Sequence, residues 1–329
     1  MKLLVIILNY KVADLTTGCL RSLAPEMTAI AGSRVVVVEN GSGDNSAERL
    51  RDSIVAEGWD TWVELAPLTQ NLGFTRGNNL IIRRAFSSPN PPEYVLLLNA
   101  DTVVAENAIS RLVRFMDENP RAGIAGARLE YPDKRPQGSP FRFLSIASEF
   151  DRGLQSGMVS RWLLKWVVCP AKPRVASLVD WVAGAGMIIR RDVIEVLGPL
   201  DEGFFAYFED MDYCLNAGRA GWSTWYVPES LIVHFEGASS GIGVGTGARL
   251  PAYWFEARRW FFLKNHGALY ASLADAAFLL GCALSGLRRT IQRRRNPDAA
   301  HLFLDSLRHS VFLTGFKAAD NGLKQRGGY

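Results

Sequence analysis

The sequence predicts an α/β protein built on a doubly wound sheet, and three observations carry that expectation. Residues 3–8, 34–38 and 94–98 are apolar runs of strand length. Runs without polar alternation suit strands covered on both faces, as in a parallel sheet. Helical stretches lie between them: Ile109, Leu112, Val113 and Met116 recur at i, i+3, i+4 and i+7, and Pro120 closes that helix. Strands alternating with helices indicate an open sheet with helices on both faces.

Taken in order, the strand ends are the first places to look for chemistry, because such sheets bind ligands at their carboxyl edge. The first run passes into Asn9-Tyr10. The second passes into Glu39-Asn-Gly-Ser-Gly-Asp44, where an acid can accept hydrogen bonds from ribose hydroxyls or a base edge, or where the glycines simply form turns. No GxGxxG follows the first strand, which argues against a dinucleotide fold. Next, Asn71-Leu-Gly-Phe-Thr-Arg-Gly-Asn-Asn79 leads into an apolar helix. Its backbone N–H groups and Arg76 suit an anionic phosphate, and a bare helix cap is the alternative.

The third run ends in Asn99-Ala-Asp101, a carboxylate placed for Mg²⁺ or Mn²⁺ shared with substrate phosphates, or else a helix cap. Residues 132–175 mix Pro, Gly, Arg and aromatics and read as a mobile loop with a short helix over 162–168. Gly203-Phe-Phe-Ala-Tyr-Phe-Glu-Asp-Met-Asp212 sets three carboxylates behind aromatic surface. In a helix Glu209 and Asp212 share a side and Asp210 points elsewhere. A carboxylate held dry beside aromatics can serve as a general base, and aromatic faces suit sugar rings. His234 reads as a structural histidine or as a second metal ligand.

Composition bounds the class. Of 329 residues, 48% are apolar and 21% charged, which excludes disorder, collagen and coiled-coil rods. Cys19, Cys169, Cys214 and Cys282 are too few and too scattered for a disulfide scaffold or a structural zinc site, so a reducing cytoplasmic compartment is expected, with no cleavable leader. Residues 1–250 carry 25 Lys/Arg against 28 Asp/Glu, whereas 251–329 carry 12 against 5. The expected division is a domain over 1–250 and a basic helical region over 251–329. A basic tail points to an anionic partner, and no nucleic-acid module accompanies it.

Residues 253–255 and 260–262 are aromatic triplets among Arg258, Arg259 and Lys264, and residues 268–287 form an almost wholly apolar run containing Asp275, followed by Arg288, Arg289 and Arg293 to Arg295. That run is just long enough to span a bilayer, but an aspartate inside one is costly. Spanning, a soluble appendage and peripheral attachment through Trp, Phe and Arg all stay open, the last being favoured.

Read together, Val5-Ile-Ile-Leu-Asn-Tyr10, Val38-Glu-Asn-Gly-Ser42, Asn71-Leu-Gly-Phe74 with Gly77-Asn-Asn79, Leu98-Asn-Ala-Asp-Thr102, residues 181–191, residues 198–214 and Val233-His234 resemble the family 2 glycosyltransferases of GT-A fold, most closely the bacterial rhamnosyltransferase-like branch. The resemblance covers roughly residues 3–240. It implies a Rossmann-like mixed sheet flanked by helices. It implies Asp210 as the catalytic base with Glu209 orienting the acceptor, Asp101 and His234 as metal contacts, and Glu39 on the donor nucleoside. Asn9, Tyr10, Asn71, Gly73, Arg76, Asn78, Asn99 and Gly184 complete the expected donor site.

The partners implied are a nucleoside-diphosphate sugar (dTDP-rhamnose or a UDP-hexose), a glycan or polyprenyl-diphosphate-linked acceptor, and the inner face of the plasma membrane. Glu39 stands where the family usually carries Asp. Asn99 stands at the first acidic position of its metal motif, which implies weak metal affinity. A nucleotidyltransferase and a non-catalytic sugar-nucleotide-binding domain are the competing readings. The first would want a glycine-rich phosphate loop beside the first strand, where only Lys11 is offered.

Overall fold

A computed structural model describes residues 1–237, 248–293 and 301–317. Along the chain run β1 (Leu3–Asn9), α1 (Ala13–Ala29), β2 (Ser33–Glu39), α2 (Ser46–Ala56), β3 (Val63–Pro67), α3 (Gly73–Phe86), β4 (Tyr94–Asn99) and β5 (Thr102–Val104). Then come α4 (Ala108–Glu118), β6 (Ala122–Glu130), β7 (Pro140–Phe141), α5 (Ile146–Leu154), α6 (Gly157–Trp162), β8 (Ser177–Leu178), β9 (Trp181–Val182) and β10 (Gly186–Arg190). The last are α7 (Arg191–Leu197), α8 (Glu209–Arg219), β11 (Ser223–His234), α9 (Ala252–Ile291), α10 (Leu302–Arg308) and α11 (Val311–Thr314). They form two compact units: Met1–Phe143 with Cys169–Leu200 and Tyr213–Gly243, and Leu144–Val168 with Asp201–Asp212 and Val244–Tyr329.

The first unit is a sheet in the order β3-β2-β1-β4-β10-β6-β11-β5, with β8 added beside β11. The three apolar runs become β1, β2 and β4, mutually parallel. They are apolar throughout because alternate side chains enter two cores. Leu3, Val5 and Ile7 pack with Leu20, Leu23 and Leu112 on one face, and Leu4 and Ile6 with Ile81, Ile82 and Val193 on the other. The spacing read for α4 is its buried stripe: Ile109, Leu112, Val113 and Met116. The sheet is mixed, since β10 lies antiparallel between β4 and β6.

The second unit is helical. The helix expected over 162–168 forms instead over Gly157–Trp162, and α5 precedes it. Ser145 starts α5 with a capping box to Ser148. α6 buries none of its own residues, and residues 163–166 beyond it are turns. α9 breaks at Gly267, whose φ is 82°.

α5 and the second half of α9 approach closely: a Cβ on Gly153 would lie 2.4 Å from the Phe278 carbonyl oxygen, and one on Gly281 would lie 2.5 Å from that of Phe150. Between them Arg258 is fully enclosed. Its Nε donates to Glu149 at 2.6 Å and its Nη1 to Asp275 at 2.5 Å. The aspartate in the apolar run is thus an internal ion-pair partner, and its second oxygen accepts the Val311 N–H at 2.7 Å. Arg294 and Arg295 lie outside the described residues.

Candidate active site

In the first unit the carboxyl ends of β1 and β2 finish level, with Asn9 in register with Glu39. Glu39 is buried, and its Oε1 accepts the Ser42 N–H at 2.9 Å, which folds residues 40–42 back over the strand end. Gly41 makes that turn at φ 65°. A Cβ there would lie 2.3 Å from the Gln70 carbonyl carbon, so glycine is required both for conformation and for space. Asn40 fastens the turn to α3: its Nδ2 donates to Asn71 Oδ1 at 2.9 Å and its Oδ1 accepts the Leu72 N–H at 3.0 Å. Asn71 Oδ1 also accepts the Gly73 N–H at 2.8 Å, which satisfies the first N–H of α3.

Arg76 follows, half-buried in the first turn of α3. Asn78 is buried and its amide donates to the Phe74 carbonyl at 2.8 Å. The ring of Tyr10 lies 5.2 Å from the Lys11 ammonium. Asn9 is buried; its Oδ1 accepts the Thr16 hydroxyl at 2.8 Å, while its Nδ2 has no hydrogen-bond partner among the described residues. Asn9, Tyr10, Glu39, Asn71 and Gly73 are therefore gathered at one corner of the sheet.

The ends of β4 and β11 make a second cluster in the same unit. β5 pairs His234 with Thr102, which brings the imidazole over the turn after β4. His234 Nε2 lies 3.3 Å from Asp101 Oδ1 and 3.2 Å from Asn99 Nδ2. Asp101 and His234 are both buried. Gly184 lies in the buried turn before β10, next to Ala185, whose carbonyl accepts the Asn99 N–H at 3.3 Å. Behind the imidazole, Nδ1 meets Gln137 Oε1 at 2.9 Å, Gln137 Nε2 donates to Glu236 Oε2 at 2.9 Å, and the Tyr131 hydroxyl donates to the same oxygen at 2.6 Å.

Asp101 and His234 fit a divalent cation. One hard oxygen and one imidazole nitrogen suit Mn²⁺ or Mg²⁺ whose remaining positions are filled by water and phosphate. Among the described residues no three His, Cys, Asp or Glu side chains gather, so the protein's share of such a site is small. That agrees with Asn99 standing where a second acid would be.

Glu209 and Asp210 open α8 and belong to the second unit. The two residues before them, Tyr207 and Phe208, both sit at φ 69°, a conformation that costs about 1–3 kcal/mol per residue for non-glycine. Aromatic contacts hold them there: Tyr207 stacks on Tyr253 at 6.1 Å, and Phe208 meets Trp254 edge-on at 5.5 Å. Burial, reinforced by the charge of Asp210, pushes the Glu209 carboxyl well up, and its Oε2 has no hydrogen-bond partner among the described residues. Asp210 Oδ1 accepts the Met211 N–H at 2.8 Å.

Asp212 does a different job. Lys264 Nζ lies 2.7 Å from its Oδ2 and Asn265 Nδ2 donates to its Oδ1 at 2.7 Å, while Lys264 also pairs with Asp201 at 2.8 Å. Burial still holds the Asp212 carboxyl above its ordinary value despite these partners. The pairs tie residues 201–212 to α9. Sequence reasoning found Glu209 and Asp210 but missed the pairing of Lys264 with Asp212 and Asp201, and missed Gln137, Tyr131 and Glu236 behind His234. No spacing in the sequence pairs Lys264 with Asp201 and Asp212, or sets Gln137 and Tyr131 against residues about a hundred positions away.

A family model described as "Glycosyltransferase like family 2" matches residues 2–261. An N-acetylglucosaminyl-diphospho-decaprenol L-rhamnosyltransferase from Mycobacterium tuberculosis is 25% identical over 276 residues, 79% of this chain and 86% of the relative. The dTDP-rhamnosyl transferase RfbF of Shigella flexneri is 26% identical over 252 residues, 75% of this chain and 76% of that one. Among solved structures, the mannosyltransferase PcManGT from Pyrobaculum calidifontis, with GDP-Man and Mn²⁺, aligns at a TM-score of 0.56 and 17% identity over 96% of this chain and 84% of its own. GalNAc-T7 with UDP, GalNAc and Mn²⁺ aligns at 0.59 and 15% identity over 90% of this chain and 55% of its own. The fold is GT-A. On the match over residues 2–261, the chain belongs to the family 2 glycosyltransferases.

Proposed function

We propose that this protein is an inverting, metal-dependent glycosyltransferase. In this reading it moves a sugar, rhamnose by preference, from a nucleoside diphosphate to a hydroxyl of a glycan or polyprenyl-diphosphate-linked acceptor in cell-surface polysaccharide synthesis. The observation that carries it is the meeting of Asp101 and His234 beside Asn99 at the sheet's carboxyl edge. The rhamnosyltransferase relatives favour dTDP-rhamnose over a UDP-hexose as donor, and the mycobacterial relative's named acceptor favours a lipid diphosphate.

The donor nucleoside lies against Glu39, Asn71 and Gly73, with its ribose hydroxyls donating to the Glu39 carboxylate. Asn9 offers the buried amide that has no other use. Arg76 and Asn78 face the diphosphate side, and the Gly184 turn lets backbone approach the sugar. A divalent cation held by Asp101 and His234 would offset the charge developing on the leaving diphosphate. Asp210 takes the acceptor's hydroxyl proton as that oxygen bonds to the anomeric carbon. The bond to the diphosphate breaks on the opposite face and its electron pair leaves with the nucleoside diphosphate. Burial and the neighbouring Asp210 charge push the Glu209 carboxyl up, and Glu209, beside the base, orients the acceptor.

Asp210→Asn tests the assignment. Turnover should fall at least about a hundredfold with donor binding retained, scored by thermal protection across a panel of nucleoside-diphosphate sugars. Undiminished turnover removes Asp210 from the mechanism.

Attachment is read as peripheral, on the cytoplasmic face of the membrane. α9 is long and apolar enough to cross a bilayer by length and composition. Its inward side, however, carries Arg258 and Asp275 in an ion pair buried within the helical unit, while Leu269, Leu273, Leu280, Leu284, Leu287 and Ile291 are exposed. Those six lie within about 60° of arc over about 33 Å of helix, a stripe suited to lying in an interface. Release from membranes by about 1 M salt supports electrostatic attachment, and retention argues for insertion.

A further inference from the structure

We infer that Gln137, set by Glu236 and Tyr131, is the positioning residue that decides which nitrogen of His234 faces Asp101 with a free lone pair. The inference rests on the reading of Asp101 and His234 as the cation's protein ligands, but its first readout needs no cation.

The argument is one of hydrogen-bond polarity. Glu236 is a carboxylate and accepts only. The Gln137 atom 2.9 Å from it must therefore be the amide nitrogen, which turns Oε1 toward His234. An amide oxygen also accepts only, so the ring nitrogen 2.9 Å away, Nδ1, must carry the hydrogen. In the uncharged ring this leaves Nε2 bare. Nε2 is the nitrogen 3.3 Å from Asp101 and 3.2 Å from the Asn99 amide, which donates to it. The Tyr131 hydroxyl, 2.6 Å from Glu236 Oε2, fixes the other end of the chain. Each link is set by the one behind it, and all six residues belong to one unit. Partners of this kind orient a ligating histidine and typically change metal affinity by about 10–100-fold when removed.

Two near-isosteric changes make the claim testable. In Gln137→Leu Nδ1 loses its acceptor, while Nε2 keeps the Asp101 carboxylate oxygen 3.3 Å away, so the ring proton moves to Nε2. In Gln137→Glu/Glu236→Gln the acceptor returns: the carboxylate at 137 receives both the His234 Nδ1–H and the amide at 236. The readout is ¹⁵N NMR of histidine-labelled protein at about pH 8, above the ordinary histidine range, which distinguishes the two protonated forms of the ring. It is paired with Mn²⁺ titration in the presence of a nucleoside diphosphate, followed by electron paramagnetic resonance.

Wild type should show the proton on Nδ1. Gln137→Leu should show it on Nε2 with Mn²⁺ affinity at least about tenfold weaker, and the double variant should restore both. An Nε2–H ring in the wild type, or the same ring form in wild type and Gln137→Leu, overturns the inference. Asp101→Ala is the separate control: Mn²⁺ affinity unchanged there refutes the cation site itself, whatever the ring form shows.

Discussion

Arg258→Met in the helical unit isolates the energetics of one buried charge. The side chains of Arg258, Glu149 and Asp275 are 6%, 0% and 4% exposed. Removing the cation leaves two enclosed carboxylates. Breaking a buried pair in this way costs about 3–5 kcal/mol, mostly as the desolvation of the group left behind. Two partners soften the loss. Arg152 stays 2.5 Å from Glu149, but it is 30% exposed and its charge is screened by solvent. Asp275 keeps the Val311 N–H. The lower end, about 3 kcal/mol, is therefore expected, equivalent to about a hundredfold in the opening equilibrium.

Hydrogen exchange read by mass spectrometry on peptides from α5 and α9 measures that opening locally, which matters because a chain of two compact units need not melt in one transition. Exchange there should accelerate about a hundredfold. A triple variant, Arg258→Met with Glu149→Gln and Asp275→Asn, should recover most of the loss because no unpaired charge remains. The pH dependence has a definite sign. Burial pushes the Glu149 carboxyl up, but Arg152 and Arg258 more than reverse this, so it lies below its ordinary value of 4.5. Its stabilisation is present above that pH and lost as the pH falls through the folded value. The deficit of Arg258→Met should thus shrink in acid. Unchanged exchange, or a triple variant as poor as the single, refutes the reasoning.

Other outcomes follow from the same geometry. Gly41→Ala must hold a side chain at φ 65° against the Gln70 backbone, so nucleoside-diphosphate affinity should drop at least about tenfold and stability by about 1–2 kcal/mol, read by calorimetric titration and thermal melting. The Glu209 carboxyl is raised by folding, so its contribution to stability is complete below the unfolded value of about 4.3 and is lost as pH rises through the folded one; Glu209→Gln should erase that slope in melts recorded across the range. Asn99→Asp supplies a second carboxylate beside Asp101 and should tighten Mn²⁺ binding about tenfold or more by titration; unchanged affinity would place the cation elsewhere.

The sequence alone determined the α/β class, because continuous apolar runs of strand length at 3–8, 34–38 and 94–98, separated by helical stretches, suit strands buried on both faces. It also marked Glu39, Asp101, Asp210 and His234, since acids and a histidine after such runs or behind aromatics break the local pattern. Tertiary structure decided what a linear pattern does not encode. It set β10 antiparallel inside a mostly parallel region, because backbone direction leaves no mark on side-chain alternation. It moved the helix near residue 160 to its Ser156-Gly157 start, because Ser156 is extended and Leu163 closes the last turn on the Val159 carbonyl.

Tertiary structure also gave Asp275 a partner in Arg258, turning an apparent defect of an apolar run into an enclosed ion pair. And it chained Tyr131 and Gln137 to His234 and Glu236, two local pairs about a hundred residues apart that meet only through the register of the sheet. Local chemistry is written residue by residue; the polarity of a buried hydrogen-bond chain exists only once the sheet has brought its members within 3 Å or so of one another.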